Sequence, residues 1–399
     1  MEYRVEPLDL MQHINTKYRE PFIREVICLD QDINIDSLKS AVRQLTEEFP
    51  LLKCRYDKDR NVYVDNASIQ KMDSFVVSAS ESDYESLLFE SLDDAFFKVS
   101  VIENSTLIIV ISHMIADGSG FKKILYRLAS AYSNKADDIL DSAMNRDFTS
   151  VSKMVPNAGK ATMKMLLSMI GKYKNPFLLK NTGEDAVCVI KNIDSKTMRL
   201  ARAKTKTLGV TLNDLFMASY AAALGRVLGL KKISLPCTVD LRKYNPSEAG
   251  VGNFTGCYNI NIKVNRDSFL ETLSNVAHNT QGQKNTYNDI AGPMLLVDKY
   301  NSSTLDKFMK TYGGMSTSNA IEYTNLGIID KERLTFAEAR PISVVGFSGL
   351  NKTPYFQLAV SSFDGETTLS SMTVCNKEEK ALIEEVLDAV CSEITAFVK

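Results

Sequence analysis

A chain of 399 residues exceeds the usual extent of one hydrophobic core, so two domains are expected. With 44% hydrophobic and 24% charged residues it has the composition of an ordinary globular protein, and a net charge of −2 gives no sign of nucleic-acid binding. Seven scattered cysteines without a Cys-x-x-Cys pair, no apolar stretch long enough to cross a membrane and no signal-peptide core predict a cytoplasmic protein with reduced thiols.

The first 150 residues mix predicted strands with helices that cover them. Apolar runs predict strands at 22–29, 51–56, 62–64, 96–102 and 106–112, and the last two form a hairpin. Apolar residues at helical spacing predict helices at 36–48, 81–93 and 120–133. Asp36 and Ser119 are the candidate N-caps of the first and third of these helices.

The residues between the two halves include a basic amphipathic stretch. Within 160–180, three lysines fall on one helical face and four apolar residues fall on another: Lys160, Lys164 and Lys172, and Met163, Leu166, Leu167 and Ile170. A solvated helix over a core is one interpretation. The other is an element at a substrate entrance, where the lysines meet the phosphates of CoA or an acidic carrier protein.

The second half repeats the mixture of the first. Strands are predicted at 187–193, 233–239, 253–264, 320–324, 343–347, 355–362 and 367–374, and helices at 195–207, 211–228, 267–284, 288–312 and 377–398. Hairpin-linked strands with covering helices predict an α+β protein. Its expected parts are an N-terminal domain at 1–150, a crossover at 151–185 and a C-terminal domain at 186–399.

A histidine stands where a buried strand should end. The aliphatic run 107–111 stops at Ser112 and His113, and Asp117 and Gly118 follow four and five residues after the histidine. A structural histidine, a metal pair and a serine nucleophile are the alternatives. The chain has three histidines in all and no Cys or His at zinc-ligand spacing around His113, so no metal is expected. Ser119 lacks the Gly-x-Ser-x-Gly setting of a nucleophile elbow.

The pattern His-x-x-x-Asp-Gly over 113–118 resembles the active-site motif of the CoA- and carrier-protein-dependent acyltransferases. That superfamily includes chloramphenicol acetyltransferase, the condensation domains of nonribosomal peptide synthetases, alcohol O-acetyltransferases and plant BAHD acyltransferases. Four further strings resemble its later motifs in the same order: Thr238-Val-Asp-Leu-Arg242, Gly252-Asn-Phe-Thr-Gly256, Thr324-Asn-Leu-Gly327 and Ser362-Phe-Asp-Gly365.

This resemblance implies two chloramphenicol acetyltransferase-like α/β sandwich domains with the active site in a tunnel between them. It makes His113 the general base and Asp117 an architectural anchor that pairs with Arg242. Gly118 and Gly120 would let the backbone approach the site closely. Asn253 and Thr255, in the segment that shapes the floor of the site, are the candidate oxyanion donors.

Two departures from the superfamily narrow the expectation. Ser112 replaces the first of the two adjacent histidines that are usual in condensation domains, and the absence of tryptophan removes the Trp-containing loop of the BAHD enzymes. The chain therefore looks most similar to stand-alone alcohol O-acetyltransferases, enzymes of secondary metabolism.

The expected reaction is transfer of an acyl group from a thioester to a hydroxyl group. Acyl-CoA or acyl-phosphopantetheine would be a substrate, no bound cofactor is expected, and the acceptor would be a small alcohol or amine. Amide formation, or a donor bound to an acyl or peptidyl carrier protein, is the alternative within this fold. A non-catalytic member that binds a carrier protein or a metabolite is the alternative from another class.

Overall fold

The computed structural model describes residues 2–67, 74–92, 95–135, 145–153, 173–180, 185–247, 250–284, 286–313, 320–352 and 354–399. The chain divides into two compact units that interleave along the sequence. The first unit comprises Met1–Met154, Arg242–Phe254 and Ile328–Leu350, and the second comprises Val155–Leu241, Thr255–Gly327 and Asn351–Lys399. The expected contiguous ranges differ from this division at 242–254 and 328–350. Both segments return to the first unit through strand pairing and side-chain bonds, which a sequence pattern does not display.

The first unit contains a five-stranded sheet and a three-stranded sheet. Numbered along the whole chain, the strands of this unit are β1 (Glu2–Arg4), β2 (Phe22–Leu29), β3 (Cys54–Asp57), β4 (Val62–Asp65), β5 (Val76–Ala79), β6 (Phe97–Ile102), β7 (Thr106–Ser112) and β12 (Pro341–Phe347). The larger sheet has the strand order β12-β2-β7-β6-β5, and the smaller has the order β1-β4-β3.

Strand β7 is the middle strand of the five-stranded sheet, which explains its continuous aliphatic sequence. It pairs antiparallel with both β2 and β6, and its residues from Leu107 to Ile111 are all buried. A strand covered on both faces needs apolar side chains at every position, not at alternate ones. His113 directly follows this strand and therefore lies where the middle strand of the sheet ends.

Five helices of the first unit are described, and two of them begin at a different cap from the expected one. They are α1 (Pro7–Ile14), α2 (Ile35–Glu48), α3 (Tyr84–Leu88), α4 (Gly118–Tyr132) and α5 (Thr149–Ser152). Asn34 caps α2 by accepting from the Ser37 amide, so Asp36 lies inside the first turn. Asp117 caps α4, because its extended backbone places the carboxylate over the first turn, and Ser119 is therefore helical.

The strands of the second unit are β8 (Asp185–Ile193), β9 (Lys232–Asp240), β10 (Thr255–Lys263), β11 (Ile321–Ile329), β13 (Phe356–Phe363) and β14 (Glu366–Cys375). Four of them form a sheet of order β11-β13-β14-β8, and β9 and β10 form a separate antiparallel pair. The helices are α6 (Ser195–Thr207), α7 (Leu212–Leu228), α8 (Phe269–Lys284), α9 (Asn288–Asn301), α10 (Leu305–Gly313) and α11 (Lys377–Val398). The core of this unit lies between α7, α11 and one face of the sheet.

The long helix expected at 288–312 is two helices, α9 and α10. Hydroxyl groups between them bond to the backbone, since Ser303 donates to the Lys299 carbonyl at 2.6 Å and Thr304 accepts from the Lys307 amide at 3.4 Å. Serine and threonine compete with helical hydrogen bonds in this way and end a helix where apolar periodicity alone would continue it. The α+β class itself is confirmed. No helix in the described part of the chain is long and apolar enough to cross a membrane.

Candidate active site

His113 is held at the end of β7 as the strand leaves the sheet. Its amide donates to the Pro21 carbonyl at 2.6 Å, and the residue is half-buried. Burial, together with the positive charge of Arg19, lowers the pKa of the imidazole to about 4. A bond to the carbonyl of His113 itself, the Asp117 charge and Asn253 oppose that shift without cancelling it. The ring is therefore neutral at pH 7, which is the form that accepts a proton.

Ser112, where the sequence departs from the expected pair of histidines, directly precedes His113. Its side chain is buried, and its hydroxyl accepts from the Met114 amide at 3.3 Å. The Ser112 carbonyl also accepts from the Ile115 amide at 3.1 Å. This residue therefore shapes the turn that carries His113.

The buried carboxylate of Asp117 accepts hydrogen bonds from three groups. One oxygen accepts from the Gly120 amide at 2.8 Å and the other from the Phe254 amide at 2.8 Å. The guanidinium of Arg242 lies 3.0 Å from the same carboxylate. Burial alone would raise the pKa of Asp117, but Arg242 and these hydrogen bonds outweigh it and hold that pKa below its usual range. Asp117 is therefore ionised, and its carboxylate bonds to Arg242 and to two backbone amides.

Arg242 fastens the segment 242–254 to the start of α4. Besides its ion pair, the guanidinium donates to the Gly250 carbonyl at 3.1 Å and to the Gly252 carbonyl at 3.0 Å, and it stacks over the Phe254 ring at 4.8 Å. The expected pair with Asp117 is therefore present, but both partners belong to the first unit instead of to two domains. The reason is the return of this segment to the first unit.

Gly120 is the glycine that close packing requires at this point. A Cβ on it would lie 3.2 Å from the Gly252 carbonyl and 3.3 Å from the Arg242 guanidinium. Gly118 opens α4 directly after its cap. The close backbone approach that the sequence suggested for Gly118 and Gly120 is therefore seen at Gly120.

Asn253 connects His113 to the N-terminal helix. Its Oδ1 lies 3.1 Å from Nδ1 of the imidazole. Its Nδ2 lies 2.8 Å from Asp9 Oδ1, 2.8 Å from the His113 carbonyl and 3.3 Å from the Met114 carbonyl. These three acceptors use the side-chain amide hydrogens, so the side chain of Asn253 has no N–H left for the suggested oxyanion-donor role. Its amide oxygen contacts the imidazole of His113 instead.

Asp9 and its partners were missed by the sequence interpretation. Asp9 is buried, accepts from the Glu6 amide at 2.9 Å and forms an ion pair with Arg146 at 2.5 Å. Arg146 stacks over the ring of Tyr63, whose hydroxyl donates to the Met114 carbonyl at 2.9 Å. Proline at the first helical position and an acid two residues later could have indicated a helix start here. Nothing in the sequence joins Arg146 to it.

Thr255, the other candidate oxyanion donor, opens β10 in the second unit, opposite Asp240. Lys160, Lys164 and Lys172 lie outside the described residues. Across the described ranges, no group of three or more His, Cys, Asp and Glu side chains is placed to hold a metal ion.

Comparison with known proteins identifies the fold. No family model and no curated protein sequence matches the chain. Among solved structures, the epimerization domain from the third module of tyrocidine synthetase B is 12% identical with a TM-score of 0.69, over 100% of this chain and 96% of that one. The trichothecene 15-O-acetyltransferase of Fusarium sporotrichioides is 12% identical with a TM-score of 0.73, over 99% and 95%. The condensation domain of the Monacolin K polyketide synthase is 12% identical with a TM-score of 0.72, over 100% and 97%.

The chain has the condensation-domain fold. The fold expected from five short strings is therefore confirmed over essentially the whole chain. At 12% identity the likeness extends to the fold and not to a reaction, so the chemistry has to be argued from the side chains around His113.

Proposed function

We propose that this protein is an acyltransferase that moves an acyl group from a thioester, preferably acyl-CoA, to a hydroxyl acceptor. The observation that carries the proposal is the neutral imidazole of His113 at the end of a buried strand. The bonds of the nearby Asp117 carboxylate go to other groups, namely Arg242 and two backbone amides. The arrangement is therefore not a triad in which a carboxylate orients the base of a serine nucleophile.

A neutral imidazole is suited to direct attack by the acceptor. His113 takes the proton of the acceptor hydroxyl group as the hydroxyl oxygen bonds to the thioester carbonyl carbon. Collapse of the tetrahedral intermediate breaks the carbon–sulfur bond, and the proton passes from His113 to the departing thiolate. A positioned base of this kind contributes about 10²–10⁴ in rate. No covalent enzyme intermediate is required.

The acetyltransferase among the structures of this fold acts, by its name, on a hydroxyl oxygen, which supports a hydroxyl acceptor here. The first condensation domain of a calcium-dependent antibiotic synthetase is also similar in fold, so a carrier-bound donor is the alternative within the same chemistry. The two donors share the phosphopantetheine thioester. Carrier-bound donors therefore belong in the same experiment as acyl-CoA.

The test measures thiol release from a panel of acyl-CoAs, from acetyl to long-chain, with and without panels of alcohols and amines. An acyl-phosphopantetheinyl carrier protein serves as a parallel donor. We expect alcohol-stimulated release that is lost in His113→Ala. His278→Ala is the matched control, because that histidine is exposed on α8 of the second unit, and this variant should keep its activity.

Each other result changes the proposal in a defined way. Stimulation by amines alone would replace O-acylation by amide formation, and release from the carrier protein alone would replace the donor. Equal release by the wild type and His113→Ala would remove His113 as the base. Binding of either donor without release would indicate a non-catalytic binder.

A further inference from the structure

The environment of Asn253 fixes which end of its amide faces the imidazole. Asn253 Nδ2 is surrounded by three oxygen atoms: one from the Asp9 carboxylate and one each from the His113 and Met114 carbonyls. Rotating the amide by half a turn would place Oδ1 against all three, and none of them can donate a hydrogen bond while Asp9 is ionised. The amide oxygen must therefore face His113 Nδ1.

An amide oxygen accepts hydrogen bonds and cannot donate them, so Nδ1 of His113 has to carry the proton. A neutral imidazole has one N–H, and Nε2 then keeps its lone pair. We propose that Asn253 is a positioning residue that fixes His113 in the Nδ1–H tautomer, and that Asp9 fixes Asn253. This inference rests on the proposed function in one respect: Nε2 is then the atom that takes the proton of the acceptor.

Asp9 is placed to hold the amide in one orientation. Its side chain is buried, and its Oδ2 is engaged by the Glu6 amide and the Arg146 guanidinium. These two donors leave Oδ1 directed at Asn253 Nδ2, 2.8 Å away. A reversed amide would bring two unprotonated oxygens to that distance in a buried site, which is strongly unfavourable. Arg146 fixes the carboxylate in turn.

The same amide also fixes the backbone of the base. Asn253 Nδ2 donates to the carbonyl of His113, while Asn253 Oδ1 meets the ring of the same residue. One side chain therefore sets both the strand end and the imidazole relative to it. Among the described residues, Nε2 has no hydrogen-bond partner, consistent with its being the free atom of the ring.

Nitrogen-15 NMR of the intact protein labelled at histidine tests the tautomer without any substrate. The chain has three histidines, and the signals that disappear in His113→Ala are those of His113. We expect His113 to show a protonated Nδ1 and an unprotonated Nε2 in the wild type at pH 7. A protonated Nε2 in the wild type would overturn the proposal, whatever the variants do.

Two variants and a control separate tautomer control from folding. The bond from the imidazole to the His113 carbonyl also favours the Nδ1–H form, so Asn253→Ala should raise the Nε2–H population without removing the Nδ1–H form. Asp9→Ala should raise that population less, because two carbonyl acceptors of the Asn253 amide remain. Asn245→Ala removes an amide of the same segment, one that donates to the Ser150 carbonyl at 2.9 Å, and should leave the tautomer unchanged. An unchanged Nδ1–H form in Asn253→Ala would overturn the proposal, and an unchanged form in Asp9→Ala would remove Asp9 from it.

Kinetics provide the second readout once a substrate pair is known from the acyl-CoA panel. Asn253→Ala should lower kcat by about 10²-fold, the lower end of what a positioned base contributes, with little change in KM. An unchanged kcat, or a loss confined to KM, would contradict a role in positioning the base. The NMR result stands even if no acyl transfer is found, so failure of this inference and failure of the proposed function are distinguishable.

Discussion

Replacing Asp117 by alanine removes one half of a buried ion pair, and the structure sets the size of the loss. The side chains of Arg242 and Asp117 are 8% and 2% exposed at a separation of 3.0 Å, so water cannot replace the missing charge. Removing one partner of such a pair costs roughly 3–5 kcal/mol, because the other charge stays buried. Loss of the cap on α4, where the carboxylate accepts from the Gly120 amide, adds about 1 kcal/mol.

Calorimetry should show the consequence as a lower melting temperature. Taking 2–4 °C per kcal/mol for a unit of 150–250 residues, the ion-pair loss alone corresponds to a fall of about 6–20 °C. Arg226→Ala is the matched control, because Arg226 pairs with Glu393 at 3.2 Å but its side chain is 52% exposed. Such an exposed pair contributes less than about 1 kcal/mol.

The outcome that refutes this reasoning is specific. If Asp117→Ala melts no lower than Arg226→Ala while acyl transfer is lost, the carboxylate acts in the chemistry and not as an anchor. A double-mutant cycle sharpens the result, since Asp117→Ala combined with Arg242→Ala should cost less than the sum of the two single changes. Additive losses would mean that the pair contributes little.

Three further predictions follow from individual contacts. Since the pKa of His113 in the folded protein is about 4 and not 6.5, kcat/KM should stay level as pH falls below 6.5 and drop only near 4. The same shift contributes folding stability that is complete above pH 6.5 and is lost as pH falls from 6.5 to about 4. An acid limb near 6.5 in the pH–rate profile would contradict it. Gly256→Ala should cost about 1–3 kcal/mol in urea unfolding, because the new Cβ would lie 2.0 Å from the Asp289 carbonyl oxygen, and a smaller loss would show that β10 shifts freely. Asn34→Ala should cost about 0.5–2 kcal/mol as the cap of α2, whereas an equal loss from Asp36→Ala would favour the cap first expected.

Local sequence signals predicted the helices whose ends are marked by capping residues. Thr211 caps helix α7 by accepting from the Asp214 amide in a capping box, and the left-handed Gly229 follows the end of the helix. Apolar periodicity and a cap agree there, and the helix ends at the expected residue, Leu228. At α4 the same kind of reasoning chose Ser119 and not Asp117. A cap depends on the backbone angle of the residue before the helix, and two polar residues close together leave that angle undetermined.

The partners of His113 could not be predicted in the same way. Asp9, Asn253 and Arg146 lie in three segments separated by about a hundred residues or more. Asp9 bonds to both of the others, and the direction of each side chain depends on the finished fold. The string that contains Asn253 indicated a residue near the site, but its residue types alone suggested an oxyanion donor. The count of acceptors around Nδ2 decides between the two roles, and that count exists only in three dimensions.

The chemistry proposed for His113 therefore depends on residues far along the chain. The segment 242–254 supplies the counter-charge of Asp117, the amide that meets His113 and the backbone oxygen of Gly252 that accepts from the Asp117 amide at 3.1 Å. Strand β12 completes the sheet by pairing with β2. A chain that stopped before residue 242 would retain the His-x-x-x-Asp-Gly motif but leave Asp117 without Arg242. The motif thus marks the site in the sequence, while the returning segments give its histidine and aspartate their separate roles.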